Sequence, residues 1–152
     1  MRIARAAPAD LDSIDPLRRA LWPDSPIEEL KVRAQDMVAD PPAYLVLVAH
    51  AEEGVPIGFA EVAVRRDYVN GCDSSPVAFL EGIYVDSAHR QQGVGRALVD
   101  EALRWARERG LAEFASDALI ENHTSHAFHR AVGFAETERV VYFHRPVGEQ
   151  AE

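Results

Sequence analysis

The segment Val77–Val85 reads VAFLEGIYV, apolar almost throughout and broken by a single acid, Glu81. A carboxylate inside such a run is costly unless something pairs with it. Two kinds of partner suit it. One is structural, such as an arginine or backbone N–H groups. The other is a cationic amine held for reaction, and Gly82 beside it leaves room for close approach. A second acid, Asp117, ends the run EFASD, in the place where sheet strands often project functional side chains. Its plain alternative is to cap the following turn. Glu136 and Glu138 stand two apart in GFAETERVVYF, so a strand there puts them on one face. That face is either a solvated surface or a surface suited to a polycation. Carboxylates placed this way can hold an ammonium group and take its proton.

A different chemistry is written at 86–99, DSAHRQQGVGRALV, where two glycines one residue apart open an apolar helical pattern. Side chains beyond hydrogen at Gly93 and Gly95 would block a ligand from the backbone. A helix N-terminus offers unpaired N–H groups and partial positive charge, and a turn before it adds more N–H groups in a concave nest. Together they can cradle a phosphate or pyrophosphate, with Arg90 and Arg96 adding charge-assisted contacts. The bland alternative is a glycine turn that only starts a helix. Position 98 is Leu and no Lys follows the glycines, so neither the dinucleotide fingerprint nor the longer phosphate loop is present.

Aromatic residues and histidines are less specific. Trp22 stands beside a Pro-rich break, as core packing or as a flat face for a sugar ring or cation. Tyr68 opens YVNG in a loop dense in turn formers, where binding residues commonly sit. His123, His126 and His129 recur every third residue, but that spacing drifts around a helix and no further ligand cluster accompanies them, so no metal site is expected.

The elements that must position these groups follow from periodicity and breakers. A short strand is expected at 2–6. A helical region opens at Pro8 and runs to about Trp22, with Pro16 able to kink or split it. WPDSP at 22–26 separates it from a second helix that ends near Val38, before DPP. YLVLVA from Tyr44 is a strand, EEGVP a hairpin turn, and 57–66 the returning strand. A strand over 77–85 follows, then a helix from about Val94 to Arg109 with Val94, Ala97, Leu98, Ala102, Trp105 and Ala106 on one face. A short strand at 113–116, a short helix at 124–132 and a last strand at 134–144 complete the chain. Strands alternate with helices, yet the hairpin is antiparallel. That predicts an α/β (α+β) fold with a mixed, mostly antiparallel central sheet flanked by helices. Residues 1–146 read as one domain and 147–152 as a short tail.

The 152 residues suffice for one domain with a real core. With 47% hydrophobic and 27% charged residues the composition is that of a globular protein. No apolar run approaches membrane-spanning length, and the start MRIARAAPADL lacks the apolar centre of a signal peptide. One cysteine, Cys72, excludes an internal disulfide framework. A cytoplasmic protein is the simplest reading. The net charge of −9 disfavours nucleic acid or an anionic membrane as partner and suits a cationic ligand.

The stretch Arg90-Gln91-Gln92-Gly93-Val94-Gly95 after a buried strand resembles the signature of the GCN5-related N-acetyltransferase superfamily, Arg/Gln-x-x-Gly-x-Gly/Ala. Asn122, a helix, and then Gly133-Phe134 fit its downstream pattern, and the resemblance covers nearly the whole chain in the superfamily's order of elements. It implies the acetyltransferase fold and acetyl-coenzyme A as co-substrate. The pyrophosphate would lie at 90–95, with Arg96 adjacent. The pantetheine arm would lie beside Ile83, Tyr84 and Val85, pairing like an extra strand. Asn122 looks like a coenzyme contact. Many members carry a Tyr seven residues after the Asn, where it can protonate the leaving thiolate. Here His129 stands in that place, and either it or solvent would serve.

Longer matches resemble a narrower group, the aminoglycoside 6′-N-acetyltransferases. They are Leu21-Trp22, Tyr68-Val69-Asn70-Gly71, Ser75-Pro76-Val77, the run from Phe79 to Val85, the run from Glu113 to Ala118, and Glu136-Thr137-Glu138 followed by Val140-Val141-Tyr142-Phe143. By that resemblance Trp22, Ser25, Tyr68, Glu81, Asp117 and Glu138 are acceptor-site residues, with Glu81 and Asp117 as candidates to deprotonate the amine. It also suggests a homodimer. Two alternatives remain at this level: the same fold acting on another polyamine, amino sugar or protein amino group, and a non-catalytic coenzyme A-binding module.

Overall fold

The computed structural model describes residues 1–148; most of the expected tail over 147–152 lies outside the described residues. Two compact units divide the chain, Met1–Asp117 and Ala118–Glu152. In the first unit the order is β1 (Arg2–Arg5), α1 (Leu11–Leu21), α2 (Ile27–Val38), β2 (Tyr44–His50), β3 (Pro56–Arg65), β4 (Val77–Val85), α3 (Val94–Glu108) and β5 (Phe114–Ser116). The helix of the second unit is α4 (His123–Ala131).

Among the described residues one sheet runs β1-β2-β3-β4-β5. The first three pairings are antiparallel and β4 pairs with β5 in parallel, which is the mixed, mostly antiparallel sheet expected. Pro16 lies inside α1 without splitting it. The hydrogen bond it removes would have reached Asp12, still in the first turn, so the helix tolerates the loss.

Alternation along β3 separates the two faces. Phe59 meets the Trp22 ring after α1, at 5.9 Å between centroids, while Gly58 next to it lies under Val94 and Leu98 of α3. So α1 covers one face and α3 the other. Ile14, Met37, Val46 and Val48 join α1, α2 and β2 on the first face. The apolar face of α3 (Val94, Leu98, Val99, Ala102, Trp105 and Ala106) is buried on the second. Each large apolar side chain so buried contributes about 1.5–3 kcal/mol.

A buried ion pair crosses the first face. Arg18 of α1 donates from Nε to Glu61 Oε2 at 2.8 Å and from Nη2 to Oε1 at 3.2 Å, and its Nη1 donates to the Leu30 carbonyl at 2.6 Å. Both side chains are 2% exposed or less. Glu61 thus ties β3 to α1, and through Arg18 to the first turn of α2.

The strand expected at 134–144 does not form. Among the described residues, 134–146 carry no regular structure, and Val141, Tyr142 and Phe143 are 77%, 80% and 91% exposed. A strand needs a neighbour for its backbone groups and apolar side chains, and among the described residues none pairs with this run. Glu136 and Glu138 therefore do not share the face of a strand. Glu136 accepts from Arg139 and is ion-paired with Arg130 at 3.6 Å, and Glu138 is exposed.

Candidate active site

The register of the sheet aims Glu81. β3 and β4 pair Glu61 with Gly82 and then Val62 with Leu80, so Glu81 is the extra residue of a β-bulge. A bulge bends its strand and re-aims a side chain, and it commonly does so next to active sites. β5 accompanies β4 only from Ala78 to Leu80, where Leu80 stands opposite Ser116. One residue further along the two parallel strands come Glu81 and Asp117. Both carboxylates therefore leave the sheet where β4 and β5 part. Asp117 is exposed. Glu81 is only 14% exposed.

Glu81 has arginine partners and also borders open space. A structural partner exists: Arg65 donates from Nε to Oε1 at 3.0 Å and from Nη2 to Oε2 at 2.9 Å, and Arg33 Nη2 stands 3.8 Å from Oε2. There is also an open approach, since Glu81 lines a cavity of about 850 Å³ together with Arg33, Arg65 and Tyr68. Neither arginine stood out in the sequence. Arg65 ends β3 opposite Val77, and its side chain reaches back across the Phe79 ring to Glu81.

The room at Gly82 is filled differently from the sequence expectation. A Cβ on Gly82 would lie 2.5 Å and 2.7 Å from atoms of the Trp22 ring and 3.1 Å from Leu21. The glycine admits the indole, not a ligand atom. Trp22 ends α1, its N–H bonded to the Arg18 carbonyl, and the Arg18 guanidinium stands 5.4 Å from its ring centroid. The buried Arg18–Glu61 pair therefore backs the indole beside the Glu81 bulge. Ser25 follows one turn later, its N–H on the Trp22 carbonyl. Tyr68 is 74% exposed on the cavity wall.

The loop bearing Tyr68 is anchored at its far end. Glu113 accepts from the Ser74 hydroxyl and from the N–H groups of Asp73 and Ser74, each 2.8 Å away, and these bonds hold its carboxyl below the usual carboxylate range. Burial, then the neighbouring Glu113 carboxylate, pushes the Cys72 thiol up. A thiol kept protonated is a poor nucleophile, so Cys72 is a loop residue and not a reactive one.

Beyond Glu81, Gly82–Val85 keep β3 on one side while β5 has ended on the other. That leaves an edge where an extended chain can pair. The loop that follows is built as a concavity. Gln91 has φ +61° and Gly93 φ +82°. Left-handed backbone is uncommon for a residue such as Gln91 and turns successive N–H groups inward. Gly93 is the N-cap of α3, with no side chain to occupy the first N–H groups, and open space lies where its Cβ would be. Gln92 is exposed, Val94 is packed into the core, and Gly95 and Arg96 lie in the first turn of α3. Arg90 braces the loop from below: its Nε donates to the Val85 carbonyl at 2.9 Å and its guanidinium stands 5.2 Å from the Tyr84 ring centroid. This geometry fits a pyrophosphate at the loop and an extended arm along Ile83–Val85, the two halves of coenzyme A.

In the second unit, Asn122 caps α4, its side chain accepting from the Ser125 N–H at 3.1 Å. His129 Nδ1 lies 2.7 Å from the Ser125 carbonyl. A carbonyl only accepts, so a hydrogen bond at this contact requires the hydrogen on Nδ1. His126 Nε2 is likewise turned to a carbonyl, that of Leu119 at 2.9 Å.

The sequence profile described as the acetyltransferase (GNAT) family matches residues 11–134. The chain belongs to that family. Relatives of this GNAT chain include the aminoglycoside N(6')-acetyltransferase type 1 of Stenotrophomonas maltophilia, 48% identical over 151 residues that span 98% of this chain and 95% of the relative. The enzyme of the same name from Serratia marcescens is 45% identical, over 91% of this chain and 94% of its own. Among solved structures, the crystal structure of the aminoglycoside antibiotic 6'-N-acetyltransferase AAC(6')-IG from Acinetobacter haemolyticus superposes with a TM-score of 0.92 at 40% identity, covering 97% of this chain and all of that one. The structure of AAC(6')-Iy in complex with the bisubstrate analogue CoA-S-monomethyl-acetylneamine does so with a TM-score of 0.91 at 40% identity, covering 95% and 97% of the two chains.

Proposed function

We propose that this protein is an aminoglycoside 6′-N-acetyltransferase, which moves the acetyl group of acetyl-coenzyme A to the 6′-amino group of aminoglycoside antibiotics and so confers resistance. The observation that carries this reading is Glu81, a carboxylate aimed by a bulge into a cavity at the point where β4 and β5 part. The shared name of the relatives supports the acceptor.

The N–H groups of Gln91–Arg96 hold the pyrophosphate, with Arg90 bracing the loop. The free edge of Ile83, Tyr84 and Val85 holds the pantetheine arm, and N–H groups of that edge polarise the thioester carbonyl. Asn122 and His129 complete the coenzyme contacts. Trp22, Ser25, Tyr68, Glu81, Asp117 and Glu138 receive the acceptor. Glu81 or Asp117, directly or through a water molecule, takes a proton from the 6′-ammonium. The amine nitrogen then bonds to the acetyl carbon, the carbon–sulfur bond breaks, the sulfur keeps that electron pair, and the nitrogen gives up a second proton to solvent as the amide forms. The proton on sulfur comes from His129 or solvent. Holding two reactants together supplies much of the rate, so no covalent enzyme intermediate is required.

Residues 1–146 act as one catalytic domain. The chain works as a homodimer, in which a second copy covers Val140–Phe143; an apolar run this exposed suits an interface. Its place is the cytoplasm. No helix among the described residues is long and apolar enough to cross a membrane, and the net charge of −9 opposes nucleic-acid binding.

Incubation with acetyl-coenzyme A and a panel of amines, read by a thiol reagent, tests the function. Kanamycin or tobramycin releases thiol rapidly, while simple polyamines and peptide amines do so weakly. Thiol release with a peptide or polyamine and none with any aminoglycoside overturns the acceptor assignment.

A further inference from the structure

The carboxylate assigned to the acceptor is already occupied by a cation. Arg65 makes a side-on, two-bonded pair with Glu81, at 2.9 Å and 3.0 Å. Such forked pairs are the strong form of the arginine–carboxylate contact. The Arg65 guanidinium also stands 3.5 Å from the Phe79 ring centroid, and Arg33 approaches the same carboxylate at 3.8 Å. An incoming ammonium therefore meets one negative charge shared by two guanidinium groups. At contact distances an added cation is repelled by both.

The pair is nevertheless built to open. Arg65 is the last residue of β3 and its side chain is 40% exposed, while Glu81 is 14% exposed. The guanidinium can swing into solvent or toward the acids that line the same cavity, Glu28, Glu29, Asp36 and Asp67.

We propose that Arg65 is a specificity-determining residue, a resident cation that the acceptor's ammonium must displace from Glu81. This rests on the acceptor reading of Glu81 given above. Displacement weakens the binding of every amine. An acceptor with one amine only exchanges one cation for another at Glu81. A polycationic acceptor offsets the exchange with its other ammonium groups on the acidic cavity wall. Arg65 thereby raises the number of positive charges an acceptor needs.

The test is a double-mutant cycle with kanamycin as acceptor. Arg65→Gln keeps the length and polarity of the tip and removes its charge. The expected result is a KM for kanamycin about two- to fivefold lower than wild type, the range of a partly exposed ion pair, with kcat moving less than KM. The KM for acetyl-coenzyme A should hold. Arg65→Lys keeps the competing charge and should return KM toward wild type. In a Glu81→Gln background, Arg65→Gln should no longer lower KM, because the contested carboxylate is gone. A higher KM in Arg65→Gln, matching that of Glu81→Gln, would overturn the proposal and make Arg65 a support for Glu81. A Glu81→Gln variant whose kanamycin KM and turnover equal wild type would instead remove the acceptor reading itself.

Discussion

Glu81→Gln and Asp117→Asn each lower turnover of an aminoglycoside, and whichever residue takes the proton loses about 10²–10⁴-fold, the usual contribution of general-base assistance. The amides keep shape but accept no proton. The other residue chiefly weakens acceptor binding, and affinity for acetyl-coenzyme A holds in both variants, because the loop at Gln91–Arg96 is untouched. Stability changes little. Asp117 is exposed at the end of β5, and the Glu81–Arg65 pair is partly open to solvent, so its loss costs about 1 kcal/mol or less. Steady-state kinetics with each substrate varied, alongside urea unfolding, separate these effects. Two well-folded variants with wild-type turnover across pH would remove the acceptor site from this place.

Glu61→Ala should strongly destabilise the fold. It leaves the Arg18 guanidinium buried with, among the described residues, the Leu30 carbonyl as its remaining hydrogen-bond acceptor. Breaking one side of a buried ion pair costs about 3–5 kcal/mol, against a total stability of about 5–15 kcal/mol for a domain. A lowered urea midpoint with an unchanged slope is the expected signature. Replacing both partners by apolar residues, Arg18→Met with Glu61→Leu, should recover most of that loss, since the desolvation of both charges disappears. The same double variant should still bind acceptor less well, because Trp22 loses the guanidinium behind its ring. A Glu61→Ala protein as stable as wild type would mean that Arg18 escapes to water.

The contrast between Glu61 and Glu81 shows how far the sequence carries. Each is a lone acid in an apolar strand, and alternation alone treats them alike. Glu81 stood out because it breaks an apolar run beside Gly82, in a stretch that also resembles an acceptor-site sequence. Glu61 did not, because its partner Arg18 lies 43 residues earlier and helical packing brings the two together. The bulge that aims Glu81 is a property of strand register, which no local pattern encodes. Gly82 was legible as a close approach but not as the seat of Trp22, since that contact depends on how α1 lies across the sheet. Arg65 was invisible for the same reason as Glu61.

The helices, the hairpin and the glycine loop before α3 were legible because periodicity and glycine chemistry are local. Even there, the left-handed backbone at Gln91 gave no signal, as a glutamine is not the residue such a conformation favours. The run 134–144 failed as a strand for a physical reason. Its alternating, apolar sequence has the propensity, but pairing needs a partner edge, and propensity supplies none. A homodimer would give that edge.

In the proposed reaction the Glu81 cavity presents a 6′-amine to the thioester. The most direct measurement is the position of the acetyl group on kanamycin after complete turnover, read by two-dimensional NMR of the purified product. A single new amide is expected, at the 6′ nitrogen. An acetyl group on any other amine, or on a hydroxyl, would contradict it.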